Sequence, residues 1–125
     1  MSTVRMFVNG QAMRGGSLHA ALAGAEFLGA VQTAARYRFR SFGDFPGLLP
    51  VAEGGAHIAG ELYEVDYATL RDRLLPGEPA ELEFSVIELA DGSGSCSMVV
   101  RAGETGGTDI TAHGSWAAAR AAGAA

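Results

Sequence analysis

Val4-Arg5-Met6-Phe7-Val8 runs without a break into Asn9-Gly10-Gln11-Ala12-Met13-Arg14-Gly15-Gly16 and then Ser17-Leu18-His19. The first five residues are β-prone and mostly apolar, which predicts a buried first strand. Asn9-Gly10 ends it with a turn signal. Ser17 is placed to cap a short helix over 18–22, which Gly24 stops. A strand, a glycine-containing loop and a helix start in that order leave main-chain N–H groups free, and such groups suit a carboxylate or an oxyanion. Glycine at three loop positions lets a ligand approach the backbone closely. The same residues also fit a plain turn before a helix.

Beyond the loop, 27–31 is a second strand candidate. Arg36-Tyr37-Arg38-Phe39-Arg40 alternates strictly, predicting a half-buried antiparallel strand with Tyr37 and Phe39 in the core. A turn over 43–47 leads to the short extended piece Leu48-Leu49-Pro50-Val51. Glu53-Gly54-Gly55 is a hairpin signal before a strand over 58–65. Asp66 is placed to cap a helix over 67–75 with Leu70, Leu74 and Leu75 on one face, and Pro76-Gly77 stops it. A long strand over 81–89 turns at Asp91-Gly92-Ser93-Gly94 and returns over 96–101. Short sequential strands joined by tight turns predict an α+β fold: a small, curled, mixed but mainly antiparallel β-barrel with two or three short helices. Residues 1–116 form one expected domain, and 117–125 are expected to fray.

Composition narrows the function classes. The 125 residues are 48% hydrophobic and 18% charged, which suits one globular domain. Net charge is −5, and all nine basic residues are scattered arginines, so nucleic acid is not an expected partner. His19, His57 and His113 lack metal-ligand spacing, and no metal or cofactor is expected. Cys96 is the single cysteine and has no basic neighbour to activate it. There is no signal-peptide pattern and no apolar run near the ~20 residues that span a bilayer, so the expectation is cytoplasmic, with no membrane partner.

Two further groups can carry chemistry. His57, Ala59, Glu61 and Tyr63 share a strand face, where Glu61 and Tyr63 fit either an acid/base with a hydroxyl donor in a cavity or a solvent-facing pair. Glu78, Glu81 and Glu83 follow the second helix, and fit either acid/base work or cross-strand ion pairs with Arg36, Arg38 and Arg40.

Strand and loop 4–19 resemble the Tyr-Gly-Thr-Leu-Met-Arg-Gly opening of γ-glutamylcyclotransferase-like proteins. Phe27-Leu28-Gly29, Arg36-Tyr37-Arg38, Phe45-Pro46-Gly47-Leu48 and Gly60-Glu61-Leu62-Tyr63-Glu64-Val65 follow at similar spacing. Within that superfamily, Thr33-Ala34-Ala35-Arg36-Tyr37-Arg38, Val51-Ala52-Glu53-Gly54-Gly55 and Val86-Ile87-Glu88-Leu89-Ala90-Asp91-Gly92 resemble the C-terminal domain of allophanate hydrolases. The likeness implies a stand-alone relative of that domain, without the amidase part. Cyclotransferases place a general-base Glu after the second helix, where this chain has Leu74-Leu75-Pro76-Gly77-Glu78, with Glu78 about two residues late. The allophanate hydrolase domain carries a His in its first loop, and Ala12 stands in that place.

The implied function is chemistry on a C–N or carboxyl bond of a carboxylated urea-, carbamate- or γ-glutamyl-amide-like substrate. Glu61 or Glu78 is the expected base, and Asn9, Gly10, Gln11, Ala12, Met13, Arg14 and Tyr63 the expected binding residues. The alternative is a non-catalytic ligand-binding or accessory module. Expected partners are a small carboxylate- or amide-bearing metabolite and, through the resemblance, an amidase protein. A homodimer stays open.

Overall fold

Strand β1 (Thr3–Val8) lies at the centre of the sheet in the computed structural model, which describes residues 2–125. It pairs antiparallel with β5 (Ala59–Asp66), from Thr3↔Asp66 to Val8↔Glu61. Strand β2 (Glu26–Gln32) pairs with β5 in turn. On its other side β1 meets β7 (Gly94–Val100) in parallel at Met6↔Cys96. Strand β6 (Leu82–Glu88) runs antiparallel along the whole of β7. A bridge Thr33↔Leu89 ties the end of β2 to the end of β6 and closes the sheet on itself. The Ala34 N–H donates to the Glu88 carbonyl at 3.0 Å beside it. The hairpin of β3 (Tyr37–Ser41) and β4 (Pro46–Pro50) joins through a parallel contact, Leu48↔Val99, and the short β8 (Thr108–Asp109) edges β3. The expected curled, mixed, mainly antiparallel α+β fold is what forms.

Around β1 both faces of the sheet are covered, which is why β1 reads as apolar rather than alternating. Phe7, Leu62, Phe39, Leu48, Ile58 and Val99 fill the inside with Tyr37. Met6, Val8, Tyr63 and Val65 point outward and lie under Leu22, Leu70 and Leu74. Tyr37 and Phe39 are buried and Arg38 and Arg40 only half-buried, as the alternation requires. Their charge partners differ from expectation. Arg36 pairs with Glu88 at 3.2 Å and Arg38 with Asp109, while Glu83 pairs with Arg101 at 3.7 Å. The reason is topological: β3 lies between β4 and β8, so β6 cannot present Glu81 or Glu83 to it.

Asp66 caps as expected, its carboxylate accepting the Thr69 N–H at 2.6 Å. The helical turn α1 (Tyr67–Thr69) widens to a π turn over Leu70–Leu74 and tightens to a 3₁₀ turn over Leu75–Gly77. Pro76 has no N–H for the preceding turn, so a regular helix cannot continue through it. Ser17 does not cap the first helix, which is a single 3₁₀ turn (His19–Leu22) preceded by Leu18 with no side-chain cap. The C-terminal reading also changes. Helix α2 (Trp116–Ala121) is capped by Ser115, and Trp116 and the fully buried Ala119 close the inside of the barrel. An alanine-rich tail hides this, because one small residue against a tryptophan leaves no apolar stripe to read. No helix among the described residues is long and apolar enough to cross a membrane.

Candidate functional site

The loop after β1 holds its shape by a short set of main-chain bonds. Met13 N–H donates to Gly10 at 3.1 Å, Gly16 to Met13 at 2.8 Å, and Leu18 to Gln11 at 2.9 Å. The Arg14 N–H goes to the Glu61 carboxylate at 2.9 Å. The N–H groups of Gly10, Gln11 and Ala12 donate to none of the described residues. Gly10 is there for closeness: a Cβ on it would lie 2.4 Å from Pro46 Cδ. The Gln11 amide also donates to the Asp44 carbonyl, so the loop and the 44–46 turn are locked together.

Between them opens a cavity of about 260 Å³. Its walls are 6–12 of β1 and the loop, Ser17-Leu18, the turn Asp44-Phe45-Pro46, and Gly77-Glu78-Pro79 with Leu82, over Ser97 and Met98. Asn9 is buried against it and its side chain bonds to none of the described residues. Ser97 is used, its hydroxyl donating to the Phe7 carbonyl at 2.9 Å. Glu78 enters from the end of the 67–77 helical segment, its N–H tied to the Leu75 carbonyl at 3.1 Å. Burial alone raises its carboxyl from 4.5 to about 7, since no cation or hydrogen bond compensates the lost water. A carboxyl balanced near neutrality can both take and return a proton.

Glu61 and Tyr63 do share a face, but it is the outer, helix-covered one, and neither lines the cavity. Glu61 accepts the Tyr63 hydroxyl at 2.9 Å, the Arg14 N–H, and the Arg14 guanidinium at 3.3 Å. Burial pushes its carboxyl up, but these three donors together outweigh that and hold it below its ordinary value. Tyr63 is pushed up to about 12, first by burial and then by bonding to this carboxylate. The Arg14 guanidinium lies over the Phe27 ring, 4.3 Å from its centre. Of the expected loop residues, Asn9, Gly10, Gln11 and Ala12 line the cavity. Arg14 is turned outward, and Met13 packs between the two cores. Asp44, Phe45, Pro46, Ser97 and Met98 were not foreseen as lining. Only Phe45-Pro46-Gly47-Leu48, part of the resemblance, signalled that wall.

A small curled mixed barrel of this kind is the γ-glutamylcyclotransferase-like fold. A solved gamma-glutamyl cyclotransferase superposes with TM-score 0.61 over 86% of this chain and 70% of its own, at 11% identity. Residues 4–121 match the allophanate hydrolase C-terminal domain, and the chain belongs to that family. A uropathogenic E. coli-specific protein is 37% identical over 98% of both chains, with TM-score 0.87. Kluyveromyces lactis allophanate hydrolase is 26% identical over 98% of this chain, with TM-score 0.85, and this chain spans 22% of its length. No curated protein sequence matches it.

Proposed function

We propose that this chain acts on a C–N or carboxyl bond of a small carboxylated urea-, carbamate- or γ-glutamyl-amide-like substrate, with Glu78 moving the proton. The carrying observation is that one cavity is lined both by Glu78, whose carboxyl is raised to about 7, and by Gly10, Gln11 and Ala12, whose main-chain N–H groups have no partner among the described residues. Asn9 would orient the substrate and the Gly10–Ala12 N–H groups would hold its carbonyl or carboxylate oxygen. In C–N cleavage an attacking amine gives its proton to Glu78 and bonds to the carbonyl carbon. Charge collects on the oxygen, where the N–H groups stabilise it. The proton then passes to the leaving nitrogen as its bond to carbon breaks. One N–C bond forms, one breaks, and nothing is oxidised or reduced.

The test is turnover of allophanate-like compounds, carboxylated ureas and γ-glutamyl amines by wild type, Glu78→Gln and Glu61→Gln. Removing the proton carrier lowers the rate by about 100-fold or more, while Glu61→Gln stays within a few-fold. An active Glu78→Gln variant sinks the assignment. A second reading, an accessory module of a separate amidase, draws support from the much longer K. lactis allophanate hydrolase, which contains a similar region. It takes over if wild type turns over none of these compounds yet co-elutes with an amidase.

A further inference from the structure

The cavity draws its polar groups from the 9–12 loop, Ser17, Asp44, Glu78 and Ser97. Much of the remaining lining is apolar, from Val8, Leu18, Phe45, Leu82 and Met98. A urea-, carbamate- or γ-glutamyl-like head uses the first group and leaves the second without a partner. Apolar surface gains when a ligand takes it out of water. Nor does the apolar lining stop at the cavity. On the β6–β7 pair Leu82 lies opposite Val100, Phe84 opposite Met98 and Val86 opposite Cys96. Residues two apart share a face of a strand, so Leu82, Phe84 and Val86 form one row beside Met98 and Cys96. Met98 and Cys96 pack on the outer, helix-covered cluster, which places this row on the outside of the barrel. Leu82 is tied to the Glu78 wall, its N–H donating to the Pro79 carbonyl at 3.1 Å. From there the row leads out of the cavity, with Phe84 and Val86 44% and 70% exposed. Glu88, next on the same face, ends it with an ion pair to Arg36 at 3.2 Å. At ~3.3 Å per residue, Leu82 to Val86 makes a path of about 13 Å.

We propose that the site takes amphiphilic ligands, with the polar amide, ureido or carbamate head in the cavity and an apolar chain of several carbons that leaves over Leu82 and Met98 and lies along Phe84. This rests on the site reading above and supplies the other half of the substrate. Continuity with the cavity floor, through Leu82 and Met98, gives the exposed strip its occupant. Its side chains then set a preference for chain length, and the adaptable Met98 accepts more than one tail shape.

The experiment is calorimetric titration with two series that keep the head and lengthen the chain. One is γ-glutamyl methylamide, butylamide and hexylamide; the other is the N-carbamoyl derivatives of glycine, norvaline and 2-aminooctanoate. Chemical shifts of the Gly10, Gln11 and Ala12 amides are followed in parallel. In at least one series affinity should rise by about twofold to fourfold per methylene, the upper figure being full burial of a CH₂. Phe84→Ser should cost the longest member roughly fivefold or more and leave the shortest unchanged. Phe84→Leu should restore most of that loss. Phe84 is an exposed residue, so both variants should fold. If the shortest and longest members bind alike while the loop amides shift, the apolar chain falls and the site reading stands. If the rise with length survives in Phe84→Ser, the chain does not run over the strip and the proposal falls. If wild type sediments as a dimer that Phe84→Ser splits, a second copy covers the strip and the proposal falls too. If no member of either series moves the loop amides, the site reading itself falls and takes this inference with it.

Discussion

The inside of the barrel and the cavity at its rim are built on opposite terms. Inside, Phe7, Phe39, Leu48 and Ile58 are almost completely buried, and Trp116 and Ile110 close what space remains. That apolar packing stabilises the fold. At the rim, Glu78 loses water without gaining a partner, and the loop leaves donors unspent. The lesson is that this barrel is a support for its own edge. The desolvated carboxyl lies apart from that packing, so substitutions of Tyr37 inside and of Glu78 at the rim should move stability in opposite directions.

The interior should give the largest effect. Tyr37→Ala, which also removes an acceptor for the Glu88 N–H at 2.8 Å, should cost about 3–5 kcal/mol. Arg38→Ala beside it should cost less than about 1 kcal/mol. Urea unfolding measures both, and equal losses would break the contrast.

Glu78→Gln should go the other way. Its carboxyl is raised in the folded state, so folding favours the protonated form. The penalty is absent below pH 4.5, grows as the pH rises toward 7, and levels off above it. At pH 8 the variant should be more stable than wild type by up to about 3 kcal/mol, at about 1.4 kcal/mol per unit. At pH 4 the two should match. Thermal melts at the two pH values decide it, and a gap independent of pH would show that the carboxyl is not desolvated. A gain in stability joined to a loss of turnover is the mark of a strained functional group.

Two smaller effects sharpen the picture. Gly10→Ala should cost about 1–3 kcal/mol by forcing the loop off Pro46. Pro46→Ala should recover part of that loss in a double-mutant cycle, and strict additivity would deny the contact. Glu61→Gln keeps most of the hydrogen-bonding shape and loses only a charge on a partly exposed pair. It should cost about 1 kcal/mol or less, and faster amide exchange confined to Arg14 would locate the loosened tie.

Much of this was legible in the chain. Strict alternation over 36–40 places Tyr37 and Phe39 inside, Asp66 caps, Asp91-Gly92 turns, and the glycine loop after β1 borders the cavity. These are local signals. The face of Glu61 was not legible, because β5 is covered on both sides and a period of two cannot tell barrel from helix layer. Nor were the partners of Arg36 and Arg38, since register between distant strands is set by topology. Glu78 was readable as a candidate from Pro76-Gly77. The cavity it lines is completed by Leu18, Phe45 and Leu82 from three other parts of the chain.

The parallel contact of β1 with β7 has a consequence in time. The Ser97 hydroxyl reaches the Phe7 carbonyl across 90 residues of chain. Contacts of such separation are slow to form, because a long loop must close before they contribute. The Asn9–Ala12 wall leaves the ribosome well before its floor at Ser97-Met98. A nascent chain therefore carries the loop through the synthesis of all the residues between them without a cavity to go with it. A ligand bound there would report that β1 and β7 have come together.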